Sequence, residues 1–155
     1  MSFLTIFTAP KPFTNPHIAI IQHNAIRSWM QLGEDAQVLL IGDEAGMEDT
    51  AQVYNLPHIK NVARNPSGTP LVNSIFSLAR QASQSPYLAY INADILLFPD
   101  FLTTILQLTS TLEAQKHDKP FLLIGQRWDL EVVREINFTG GWEQRLHVEL
   151  DRRDA

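Results

Sequence analysis

Asn92 and Asp94 sit two residues apart in the run Tyr90-Ile-Asn-Ala-Asp-Ile-Leu-Leu-Phe-Pro-Asp100. A carboxylate with an amide close by suits a hard divalent cation that also bridges phosphate oxygens. Three more polar residues stand at the ends of apolar runs: Thr8, Asp43 and Arg64. Together their types suit a nucleoside diphosphate. Asp43 would accept from a base N–H or a ribose hydroxyl, Arg64 would donate to a base carbonyl or a phosphate, and Asp94 would hold the metal. Each has a plainer role as well: Thr8 as a strand-end hydroxyl, Arg64 as a solvated charge, and Asp43, Asn92 and Asp94 as turn formers that accept backbone N–H bonds. Asn73 has the plain role of an exposed helix residue. Convergence on one edge of a sheet separates the two readings.

The elements that would bring them together alternate. Residues 3–8 read as a first strand ending in Thr8-Ala9-Pro10, with Pro10 and Pro12 stiffening the loop beyond it. A helix over 16–32 comes next, with Ile18, Ile21, Ala25, Trp29 and Leu32 on one stripe and Gly33 just past its end. Residues 36–41 form a second strand whose exit is Gly42-Asp43-Glu44, then a short helix covers 47–54. Residues 57–62 read as a weaker strand or an extended link. Thr69-Pro70 signals a helix start, hydroxyl cap then proline, and that helix runs to about residue 84. Residues 87–91 are apolar throughout, as in a central strand covered on both faces. A helix after Pro99 runs to about residue 115, and 121–124 (Phe-Leu-Leu-Ile) reads as another buried strand. In the less regular remainder, Trp128, Phe138 and Trp142 suggest a segment that folds back on the body. This alternation predicts a single α/β domain, a three-layer α/β/α sandwich on a mostly parallel sheet. In such sheets ligands bind at the carboxyl ends of the strands.

Composition limits the partners. The chain has 155 residues, 17 of them acidic and 12 basic, for a net charge of −5. That balance argues against a protein whose main task is coating nucleic acid or an anionic membrane. There is no cysteine, so disulfides, thiolate metal sites and cysteine nucleophiles are excluded; this fits a reducing, cytoplasmic setting. No apolar run reaches the length of a membrane span, and the first residues read as a strand rather than a leader. Several motifs are missing: the Gly-x-Gly-x-x-Gly fingerprint, a Walker loop, Gly-x-Ser-x-Gly and His-Glu-x-x-His. The five histidines are scattered. A flavodoxin-like phospho-acceptor domain would need further acids after the first strand, where Thr8-Ala9-Pro10-Lys11 stands.

In order and layout these signals resemble the nucleotide-sugar half of a GT-A glycosyltransferase of the family 2 type. Thr8-Ala9-Pro10 matches the loop that contacts the nucleoside, Asp43 the acid that recognises the base, and Arg64-Asn65 through Asn73 a basic, Asn-containing loop and helix. The run from Tyr90 to Phe101 has the layout of the family's Asp-x-Asp segment, with Asn92 in place of the first acid and Asp94 at the direct metal ligand. The resemblance covers residues 2–125. It implies transfer of a sugar from a nucleotide-diphosphate sugar, a UDP-sugar by preference, to an acceptor, assisted by Mn²⁺ or Mg²⁺. The catalytic base of inverting members lies in the acceptor half, of which residues 126–155 would be a part. Asp129 and Glu143 are the candidates for it here. Two other readings remain: a nucleotide-sugar-binding domain or fragment without turnover, and a plain α/β interaction scaffold.

Overall fold

The computed structural model describes residues 2–151. Strands β1 (Leu4–Thr8), β2 (Ala36–Ile41), β3 (His58–Ile59) and β4 (Tyr87–Tyr90) form one sheet in the order β3-β2-β1-β4. All three pairings are parallel. Helices α1 (Pro16–Met30), α2 (Met47–Tyr54), α3 (Val72–Ala82), α4 (Asp100–Ala114) and α5 (Trp142–Asp151) complete the described elements.

Alternation along β1 builds two cores. Leu4 and Ile6 point to one face and pack with Ala25, Ile26 and Trp29 of α1, Met47 and Ala51 of α2, and Leu102 and Ile105 of α4. Phe7 points to the other face and packs with Leu39, Ile41 and the α3 residues Ile75 and Ala79. The chain is therefore α/β with helices on both faces of an all-parallel sheet. Crossover handedness explains the arrangement. The steps β1-α1-β2 and β2-α2-β3 run one way with their helices on one face. The step β3-α3-β4 runs back, so its helix must lie on the other face to stay right-handed.

Several expectations are corrected. Residues 87–91 are not a central strand: β4 stops at Tyr90, lies at the end of the sheet, and is only half-buried. The central strands are β1 and β2, where full burial is found. Residues 121–124 form no strand, and Leu122 and Ile124 are 84% and 81% exposed. Handedness again gives the reason. Because α4 packs on the face of α1, a return from α4 to the outer edge of β4 would be a left-handed crossover. The strand expected over 57–62 shrinks to His58–Ile59. Thr69-Pro70 does not start α3. Asn65 Oδ1 accepts from the N–H groups of Ser67 and Thr69, the Leu71 N–H reaches Ala63 O, and Pro70 bridges to Arg64. These bonds close 64–70 into a loop of its own, and the helix begins two residues later.

Helix α1 starts cleanly, with Asn15 Oδ1 accepting from His17 and Ile18 N–H and Pro16 in its first turn. Its interior is less ordinary. Gln22, Asn24 and Ser28 are buried on it alongside Trp29. Asn24, 1% exposed, donates to Arg134 O and accepts from Ile136 N–H at 2.9 Å each, so one amide clamps the chain leading to α5. The Arg27 guanidinium lies 4.9 Å above the Phe138 ring. On the same helix, His23 Nδ1 lies 3.0 Å from the Tyr54 hydroxyl, with Phe13 against its ring. Burial holds the His23 imidazole below its ordinary value near 6.5; Glu135 opposes this and Arg27 adds to it.

The folded state thus favours neutral His23, and the unfolded chain binds the extra proton as pH falls below 6.5. Its contribution is complete above that pH and is lost on acidification. Urea unfolding at about pH 7.5 and about pH 5.5 should show a smaller loss of midpoint in His23→Gln than in the wild type.

Candidate functional site

Thr8 pairs with Leu40, and Phe7 pairs with Tyr90. The carboxyl ends of β2, β1 and β4 therefore lie side by side, and Gly42 to Glu44, Ala9 to Phe13, and residues 91–97 leave the sheet along one rim. The β1/β4 boundary is where strand order reverses. That is the switch point at which open parallel sheets leave a crevice for ligands.

The segment after β4 turns at once, the Ile95 N–H donating to Asn92 O at 3.1 Å. The turn is closed by backbone. Among the described residues neither Asn92 nor Asp94 has a side-chain hydrogen bond or ion pair, and both are exposed. The Asx-turn reading, in which these side chains would accept backbone N–H bonds, is not realised. The Tyr90 hydroxyl is pushed above its ordinary value near 10 by burial first and by the Asp94 carboxylate second. Helix α1 fixes the residues beyond the turn. The Leu97 N–H donates to Ser28 Oγ at 3.0 Å, and Trp29 Nε1–H donates to Ile95 O at 2.9 Å. Both α1 residues are fully buried, so Asp94 projects from a backbone held on its far side.

On the other flank, Asp43 and Arg64 do meet, with Arg64 Nη2 2.6 Å from Asp43 Oδ1. They meet as partners of each other. Arg64 Nη1 also donates to Glu44 Oε1 at 2.8 Å and to Gly68 O at 2.7 Å. Glu44 above all, then Asp43, raises the guanidinium's pKa further. Gly42, which leads into Asp43, has φ +129°, a conformation that L side chains rarely adopt, and a Cβ there would come within 3.3 Å of the Met47 methyl. Asp43 remains 63% exposed, and its Oδ1 is the oxygen that Arg64 holds.

The loop after β1 lies between these flanks. Ala9 is half-buried and Pro10 is buried. Gln22, 3% exposed, accepts from the Lys11 N–H at 2.7 Å and donates to its carbonyl at 2.9 Å. The Phe13 N–H reaches Ala45 O at 2.8 Å. Thr8 is fully buried, and its Oγ1 is the one buried side-chain polar atom without a partner among the described residues. Asn73 is exposed on the first turn of α3, where its Oδ1 accepts from the Ser74 N–H. Asp129 is 83% exposed and pairs with Arg127 at 3.2 Å. Glu143 lies in the first turn of α5, which docks on the rim segment because Trp142 and His147 both stack on Phe98, at 5.4 and 4.5 Å.

Glu44, Gln22, Ser28 and the Trp29 indole N–H belong to this region and were missed in the sequence. Gln22, Ala25 and Ser28-Trp29 fall at steps of three and four, which places two polar residues on a buried stripe. That spacing was the available signal. Among the described residues no three His, Asp or Glu side chains gather as a cation cage. A cation at Asp94 would have one carboxylate and take phosphate oxygens and water for the rest, as Mg²⁺ commonly does.

Comparison with protein-family models gives no match, and comparison with curated proteins gives none either. What the chain defines by itself is an α/β domain with an all-parallel four-stranded sheet. No described helix is long and apolar enough to cross a membrane.

Removing the Ser28 hydroxyl strands the buried Leu97 N–H. Ser28→Ala should cost about 1–3 kcal/mol in chemical unfolding and raise amide exchange at residues 95–97 before it does so in β1.

Proposed function

We propose that this rim is the donor ledge of a GT-A glycosyltransferase, binding a nucleotide-diphosphate sugar, with UDP-sugar as the preferred class. The observation that carries this reading is the pair of free side chains, Asn92 and Asp94, at the β1/β4 switch point, between the loop of Thr8-Ala9-Pro10 and the sheet's open end. Asp94 would hold Mn²⁺ or Mg²⁺, and Asn92 would reach it through water. Asp43, 63% exposed and held by Arg64 through Oδ1 alone, would use its second oxygen for a base N–H or a ribose hydroxyl. Arg64 serves chiefly to hold Asp43 and Glu44 in place. When bound, the cation neutralises charge on the departing diphosphate.

In transfer, an acceptor oxygen bonds to the anomeric carbon as the bond from that carbon to the diphosphate breaks, and the acceptor's proton passes to a carboxylate. Glu143 is the better candidate of the two, since α5 is docked against Phe98 on this rim. Asp129 is held by Arg127 on an exposed stretch. Binding without turnover is the second reading. What favours it is that Glu143 has no described contact with Asp94 or Asn92.

Thermal and urea unfolding with UDP, other nucleoside diphosphates, and Mn²⁺ or Mg²⁺ tests the site. UDP with metal at 100 times its dissociation constant should add about 2.7 kcal/mol, and Asp94→Asn should lose the metal-dependent part. No stabilisation by any nucleotide defeats the proposal. UDP-sugar hydrolysis that Glu143→Gln abolishes would separate the enzyme from the binding domain.

A further inference from the structure

As the diphosphate departs it gains negative charge beyond what one divalent cation neutralises, and Arg64 is poorly placed to offset it. Its Nη2 is taken by Asp43, and its Nη1 by Glu44 and Gly68 O. One guanidinium between two carboxylates leaves a cluster with a net charge of −1 by formal count, which repels phosphate. Lys11 is in the opposite condition. Its side chain is exposed and makes no hydrogen bond or ion pair with the described residues, while its backbone is held on both sides by the buried Gln22 amide. The loop is tied again at Phe13 and Ala45. It leaves β1 next to β4, so Lys11 and Asp94 emerge from neighbouring strands at the switch point. At the end of β1, where this loop begins, Thr8 Oγ1 is buried and without a partner among the described residues, a position that a buried water would satisfy.

We infer that Lys11, rather than Arg64, is the diphosphate-binding cation of this rim, with Gln22 as the positioning residue that aims it. The inference rests on the donor-ledge reading. It refines that reading by assigning the pyrophosphate group to the β1 loop and leaving Arg64 a structural clamp.

Calorimetric titration of the full chain with UDP and, separately, with inorganic pyrophosphate, each with Mn²⁺, tests it. Lys11→Met should weaken both ligands about tenfold and flatten the salt dependence, whereas Lys11→Arg should stay within about threefold of wild type. Arg64→Met should lower the melting temperature and keep the affinity for pyrophosphate, which has no base or ribose for Asp43 to meet. Unchanged UDP binding in Lys11→Met removes the assignment and leaves the donor ledge standing. Lys11-dependent binding of pyrophosphate with no binding of UDP does the reverse. Binding of neither probe by the wild type removes both. Lys11 is exposed, so its variants test binding without threatening the fold.

Discussion

Three buried polar side chains on one helix hold this structure's irregular parts to its regular ones. Gln22 grips the loop after β1, Ser28 takes the N–H of Leu97 beyond β4, and Asn24 clamps residues 134–136 on the way to α5. Buried amides and hydroxyls are tolerated only when satisfied. Here each is satisfied by backbone from a segment that has no sheet or helix partner at that point. Helix α1 thus acts as a second set of main-chain partners for the loops, and the indole N–H of Trp29 extends it. Loops held in this way can present exposed side chains from a steady backbone, which a ligand-binding rim requires.

Most of the sheet could be read from the sequence because its strands are short apolar runs bounded by Gly and Pro, and the helices between them have a clear period. Residues 36–41 and 47–54 stand where expected. Strand position within the sheet could not be read in that way. An apolar run such as 87–91 looks the same whether it lies at the centre or at the edge, and only the order of pairing decides. The run 121–124 carries a strand's composition, and crossover handedness, a property of the whole fold, denies it a place beside β4. At 69–70 a good local helix signal lost to the Asn65 side chain, which captured the N–H of Thr69.

The candidate site was partly legible for a related reason. Sequence identifies side chains able to bind, and it does not say which are already occupied. Asp43 and Arg64 have the right chemistry and lie on the right rim, yet they meet each other. Asn92 and Asp94 have the same general chemistry and stay free because the backbone closes their turn. Glu44 went unread although it stands next to Asp43, and it is the residue that turns a simple ion pair into a three-membered clamp.

The pairing of β1 with β4 has a bearing on how the chain matures. Leu4 stands beside Tyr87 and Phe7 beside Tyr90, so β1 is flanked on both sides only once the chain has been made as far as Tyr90. Until then β1 has β2 for company and an open flank, and loop-closure entropy delays the last pairing. The Leu97 N–H and the Ile95 carbonyl reach Ser28 and Trp29 only after that step. The rim around Asp94 therefore takes shape only after β4 has paired, and a nascent chain cannot present it early.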